Sequence, residues 1–175
     1  PLDGINPSDI NISSLIERIK KEEIKEIILA LKPSIEGETT SLYISKLLEK
    51  ENVKICMECH RNSFVSKIEP ALLLMKTVSS PNFRMYWQPD PFVSVAENLD
   101  YAEKISDYTE VIHAFNWIRG KQYSLKNAID IWKMYLSKFN KNIPVLLEFM
   151  PDGKIESLKE EANALKEITK EKNYR

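Results

Sequence analysis

Five short, nearly continuous apolar runs, each separated from the next by a stretch of helical periodicity, constrain this chain more than any other feature. They fall at residues 26–31, 53–58, 83–87, 110–115 and 143–149. Runs of that length that are apolar on successive residues read as parallel strands covered on both faces, whereas a half-exposed strand would alternate. Between them, Leu42, Ile44, Leu47 and Leu48, and later Leu125, Ile129, Trp132 and Leu136, follow helical spacing. Three Ser–Glu pairs at i,i+3, namely Ser14 with Glu17, Ser94 with Glu97 and Ser157 with Glu160, predict capping boxes at helix starts. Pro70 suits the first turn of its helix, where its missing N–H is not needed. An extra helix over about residues 13–20 precedes the first strand.

The expected fold is therefore α/β, an α(βα)5 arrangement around a five-stranded parallel sheet, forming a single domain over residues 1–175. Right-handed crossovers with the strands in sequential order would place every later helix on one face of the sheet. That is half of a TIM barrel, with its other face bare. A reversal of strand order would instead give a flavodoxin-like sheet. An uncovered face predicts a homodimer through it.

Composition narrows the function classes. With 25 basic against 26 acidic residues and a net charge of −1, the chain has no basic footprint, which argues against nucleic acid. No apolar run approaches the roughly 20 residues that span a bilayer, so no membrane association is expected. Two cysteines make no disulfide framework, and a cytoplasmic setting is expected. Cys56-Met57-Glu58-Cys59-His60 matches C-x-x-C-H, which can attach haem, cycle as a dithiol or seed a zinc site. If a strand runs through it, the two thiols point to opposite faces, which disfavours all three. The simpler reading is two small residues at a strand end, with no resident cofactor beyond a weakly held divalent metal.

The N-terminal segment contains PLDGINPSDINI and then IILALKPSIEGETTSLYISKLL. Its strand ends in Lys32-Pro33-Ser34 before a helix opens near Gly37. Glu36 and Glu38 thus fall at a helix N-terminus, where the dipole favours carboxylates. Over residues 1–52 the segment resembles the Toprim domain of the RecR recombination mediators. In catalytic Toprim proteins acidic residues at such a place bind Mg²⁺ together with a Glu from an earlier strand, which this chain does not contain. Lys32 also stands where RecR-like sequences usually carry Asn. Glu36 and Glu38 are either that acidic pair or simply helix-terminal charges.

Residues 53–175 carry ICMECHRNSF, NFRMYWQPDP, VIHAFNW and IPVLLEFMPDG. Acidic or His residues at strand C-terminal ends are how a TIM barrel builds its site. This part resembles the last four βα units of xylose-isomerase-like sugar-phosphate isomerases and epimerases. The resemblance implies a divalent metal held by Glu, Asp, His and Glu from successive strands, the two Glu residues also moving protons at the sugar carbons. Glu58 matches the first Glu and Glu148 the last, as vestigial catalytic residues and an incomplete metal pair. Gln88 stands at the Asp position and Phe115 at the His position, with His113 two residues earlier. Substrate contacts are implied for His60, His113, Gln88 and Trp87.

Taken together, the sequence predicts an engineered chimera of a RecR Toprim fragment (1–52) and a half-barrel fragment (53–175), a recombinant scaffold with no intact native activity. The alternatives are residual sugar-phosphate or divalent-metal binding by the second part, and a DNA recombination interaction module in the first.

Overall fold

The computed structural model describes residues 11–29, 35–51, 53–61, 63–139 and 142–170. The PLDGI segment and Lys32-Pro33-Ser34 lie outside the described residues. The strands of the main sheet are β1 (Glu26–Ile28), β2 (Lys54–Glu58), β3 (Phe83–Trp87), β4 (Thr109–Ala114) and, after a two-stranded hairpin of β5 (Trp117–Ile118) and β6 (Lys121–Gln122), β7 (Val145–Leu147). Their order is β1-β2-β3-β4-β7. This order is sequential, as in half of a TIM barrel, and lacks the reversal a flavodoxin-like sheet requires. All five runs expected from the sequence are strands. The chain divides into two compact units within β3, after Met85.

Unit 1 begins with α1 (Ile12–Glu22), slightly longer than expected, which ends with Glu23 at φ 50° in the left-handed region. Ser14 does not cap it. Its hydroxyl donates back to the Asn11 carbonyl at 2.9 Å, inside the first turn. Parallel pairing of β1 with β2 sets Glu26 opposite Lys54 and Ile27 opposite Ile55. The second helix, α2 (Ile35–Leu48), buries Ile44 and Leu48. It also buries Ser41 and Ser45, whose hydroxyls donate to the carbonyls of Gly37 and Ser41 one turn back, at 3.0 and 2.7 Å. Intrahelical bonding of this kind lets a hydroxyl enter a core without an orphaned donor. The third helix, α3 (Ile68–Val78), has Pro70 in its first turn and buries Ala71, Leu74 and Met75.

Unit 2 is organised by aromatic packing and one buried carboxylate. Trp87 leaves β3 among the rings of Trp132, Tyr135 and Phe139, with centroids 5.3–6.2 Å apart in edge or tilted geometry. Trp132 donates its indole N–H to the Phe115 carbonyl at 2.8 Å. The fourth helix, α4 (Val95–Ile105), opens with the expected Ser94–Glu97 capping box, both of its bonds present. The Glu97 carboxyl is held below its ordinary pKa by those bonds from Ser94. A 3₁₀ turn at Leu125–Ala128 leads into α5 (Ile129–Leu136), and another at Ile155–Ser157 leads into α6 (Leu158–Thr169). Ser157 does not form the box its spacing suggests. Its hydroxyl donates to Asp152 at 2.9 Å instead. Glu161 of α6 is 2% exposed and accepts from the Ser124 hydroxyl at 2.5 Å and the Leu125 N–H at 2.7 Å. A carboxylate is tolerated there because both donors converge on it at a helix N-terminus.

The β5–β6 hairpin, which the sequence reading passes over, turns on Arg119 (φ 49°) and Gly120 (φ 80°). Two consecutive residues in the left-handed region are the signature of a type I′ turn. A side chain at Gly120 would also press on Phe92, 3.2 Å away.

Glu161→Ala should destabilise the protein by about 2–3 kcal/mol in urea unfolding, because the buried Leu125 N–H and the half-buried Ser124 hydroxyl lose their acceptor. Glu161→Gln, which keeps one acceptor, should cost less, and equal losses in the two variants would contradict this role. Tyr135 carries a pKa raised above 10.0, mainly by burial and partly offset by its hydrogen bond with Asn98. A raised folded-state value means its contribution is fully present below about pH 10 and is lost as pH rises further. Melts between pH 9 and 11.5 should show a steeper alkaline loss in the parent than in Tyr135→Phe.

Candidate metal-binding residues at the strand ends

Parallel strands deliver their C-terminal residues to one edge, and the residues singled out by sequence lie at or just past those ends. In unit 2, His113 is the penultimate residue of β4, and Glu148 follows β7. The register sets His113 opposite Leu146, so Glu148, two residues further, projects from the same face as Leu146. Glu148 also donates its backbone N–H to the Ala114 carbonyl at 3.1 Å, which fixes the strand end. The His113 Nδ1 and Glu148 Oε2 are 3.7 Å apart, with 15% and 24% of their side chains exposed. The Tyr86 ring stands edge-on to the imidazole at 5.1 Å. A half-buried imidazole and carboxylate at this separation form an N,O donor pair suited to Zn²⁺ or Mn²⁺.

The neighbouring positions behave differently. Phe115, at the expected His position, is buried, and its ring meets those of Trp117 and Phe149. It offers no donor atom, whereas His113 does. Gln88, at the expected Asp position, is half-buried, and its Oε1 has no hydrogen-bond partner among the described residues. An amide oxygen is a weaker ligand than a carboxylate but is still a hard oxygen donor. Trp87 is fully buried in the unit 2 core, which leaves its ring no access to a solute. Its position is that of a packing residue.

In unit 1, Glu58 ends β2 and is half-buried. His60 is exposed in the turn that follows. Its Nδ1 donates to the Arg61 carbonyl at 2.6 Å, and its own carbonyl accepts from Ser63. Glu36 lies in the first turn of α2, half-buried, as a helix-terminal carboxylate would. Glu38 belongs to the same turn, and its side chain lies outside the described residues.

The C-x-x-C-H motif resolves into two separate thiols. Cys56 donates to Glu26 Oε1 at 3.4 Å, and Cys59 donates to the Val65 carbonyl at 3.2 Å. Both are buried and neither forms a disulfide. Their different partners suit neither a shared metal nor a dithiol. The described residues contain no helix long and apolar enough to cross a membrane.

A sequential parallel sheet of this kind is that of part of a TIM barrel, and comparison with known proteins agrees at the level of fold. The fold is similar to that of the IolI protein in a crystal structure with a bound zinc atom. The TM-score is 0.58 at 18% identity, over 93% of this chain and 68% of the other. It is also similar to a xylose isomerase-like TIM barrel protein from Mycobacterium smegmatis in complex with magnesium. There the TM-score is 0.57 at 14% identity, over 89% and 65%.

The amino-acid sequence points elsewhere at its N-terminus. Residues 1–57 match the Toprim domain. A stretch of 55 residues is 54% identical to the recombination protein RecR of Staphylococcus haemolyticus, covering 31% of this chain and 28% of that protein. RecR of Staphylococcus aureus matches to the same extent. The chain thus spans a little over a quarter of the length of the curated relatives it matches.

Two buried thiols without a shared partner make a direct prediction. Native protein should react slowly with a thiol reagent such as Ellman's, and should release two equivalents once unfolded under non-reducing conditions. Rapid native reaction, or fewer than two thiols after unfolding, would count against this placement.

Proposed function

We propose that the chain is an engineered chimera, a RecR Toprim fragment joined to the C-terminal part of an isomerase-like barrel, and that its remaining chemistry is weak binding of a divalent cation. The observation that carries the cation reading is the His113–Glu148 pair. Both side chains are half-buried. The fold neighbours with bound zinc and magnesium support it by analogy.

The donor set fits such a cation: a carboxylate and an imidazole suit Mn²⁺ or Zn²⁺ better than Mg²⁺, which prefers oxygen alone. Glu148 and His113 would hold it, with Gln88 as a further oxygen donor. A cation bound there would supply Lewis acidity toward a substrate oxygen. The residues do less. Isomerisation requires one carboxylate to accept a proton from one carbon while another group returns it to the next. With Glu148 engaged as a ligand, and Gln88 and Phe115 in place of an acid and an imidazole, that set is incomplete. No native turnover is therefore expected. The break in sequence resemblance near residue 57, set against a fold likeness that covers 93% of the chain, supports the chimeric origin. The net charge of −1 does not favour a DNA-binding role for the RecR-like part.

Millimolar Mn²⁺ or Zn²⁺ should raise the melting temperature by about 2–5 °C, the effect of a weak native-state ligand on a domain of this size. Glu148→Gln and His113→Ala should each abolish that rise while leaving the metal-free melt nearly unchanged. A parent protein indifferent to both metals, or a shift that survives Glu148→Gln, would sink the reading.

A further inference from the structure

Unit 2 contains a second place able to take a ligand, unrelated to His113 or Glu148. A largely apolar cavity of about 180 Å³ lies beside the β5–β6 hairpin and α5, walled by Phe115, Trp117, Ile131, Trp132 and Tyr135. We infer that this cavity is a binding site for a small uncharged monocyclic aromatic molecule, preferentially one carrying a single hydrogen-bond acceptor.

Size comes first. An engineered cavity of about 150 Å³ lined by apolar side chains admits benzene. At 180 Å³ there is room for one six-membered ring and a short substituent, and not for a sugar phosphate or a nucleotide. Chemistry comes second. The polar side chains of the wall are engaged within the protein. The Asn98 amide clamps both backbone groups of Asp90, at 2.8 and 3.0 Å, and bonds with the Tyr135 side chain. Asn116 donates to the Ser124 carbonyl at 2.9 Å, and Trp132 donates to the Phe115 carbonyl. Groups already satisfied offer little to a polar solute but present their apolar surface to an aromatic one. Trp117 is the exception. Its indole N–H is buried without a hydrogen-bond partner among the described residues. A buried donor left unsatisfied is costly, and a ligand acceptor would relieve that cost. Rigidity comes third, because the hairpin is held from outside by the bonds from Arg119 N–H to the Pro91 carbonyl, 2.9 Å, and from Tyr123 N–H to the Asn116 carbonyl, 2.8 Å.

The test is a heteronuclear NMR titration of the full chain with benzene, acetophenone and cyclohexanol. Benzene and acetophenone should shift resonances of Trp117, Ile131 and Trp132, with acetophenone binding about three- to tenfold more tightly through its carbonyl. Cyclohexanol should bind more weakly than benzene. Trp117→Phe should keep benzene binding and erase the acetophenone advantage. Ala128→Leu, which fills the cavity from the start of α5, should abolish binding of both. Val95→Phe, placed in the wall from α4, serves the same purpose if the first variant fails to fold. Absence of shifts up to the solubility limit of benzene, or binding that survives both filling variants, would overturn the inference. An acetophenone advantage that persists in Trp117→Phe would overturn the assigned role of the indole.

Discussion

Parallel pairing is the constraint on which the rest of this molecule depends. A parallel strand cannot be reached by a tight turn, so each requires a crossover, and here a helix intervenes before each successive strand. The consequence is directional. Every strand enters from one edge of the sheet and leaves at the other, so Glu58, Gln88, His113 and Glu148 all fall at or just beyond C-terminal ends. No residue in these positions needs to be near another in sequence for that to hold. Thirty-five residues separate His113 from Glu148 in number, yet the topology of unit 2 brings both to one strand edge. Function at such an edge is decided by which side chains occupy a few positions, and the scaffold is indifferent to whether they are good ligands.

Within unit 2 the strand-end residues rest on a support that has no chemistry of its own. The carbonyl of Phe115 is tied to Trp132 of α5, and the N–H of Leu125 is tied to Glu161 of α6. One bond anchors the exit of β4. The other anchors the entry to α5, with only the hairpin between them. A strand-to-helix connection interrupted by a hairpin would ordinarily be the most mobile part of a βα unit. Two buried bonds at its ends, together with the rings of Trp87, Trp132 and Tyr135, restrain it. The same restraint makes room for a cavity, since rigid walls cannot collapse to fill a gap left between large rings.

The strands were legible because burial on both faces leaves a continuous apolar run, and each of the five runs lies on a strand of the sheet. The caps were less so. Ser94–Glu97 forms its box, but Ser14 and Ser157 do not, although their spacing is the same. A serine hydroxyl takes whichever acceptor lies nearest, and Asn11 and Asp152 each supply one. Spacing alone cannot reveal that competitor. The hairpin escaped notice because its strands are two residues long, too short for any period, and its turn residue is Arg119 rather than the Asn or Asp that usually announces such a turn. Glu161 sits among the many charged residues of α6, and nothing in the sequence marks it out. Its burial follows from the position of Leu125 in space, for which the sequence of α6 holds no signal. His113 was legible as a substrate contact but not as a ligand: two residues before Phe115, it leaves the strand on the same side, so a one-step shift along that face substitutes an imidazole for a ring without donors.

The Toprim match ends where a backbone is most tolerant of a change in side chains. It runs to residue 57 and β2 spans Lys54–Glu58, so the match ends inside a strand. Within unit 1, Lys54 donates its N–H to the carbonyl of Lys25, at 3.0 Å, and Ile55 donates to that of Asn82, at 2.8 Å. One of these acceptors lies within the Toprim match and the other beyond it, yet both are backbone carbonyls. A ladder of N–H and C=O groups does not depend on which side chains it carries. Side chains do impose a condition, because a one-residue slip would turn the buried set outward. Ile55, Cys56 and Met57 are all buried, and a strand apolar on both faces relaxes that condition as far as any strand can. A loop junction would have had to match cap geometry and helix entry angle as well. A doubly buried strand asks only for β-compatible apolar residues of similar volume.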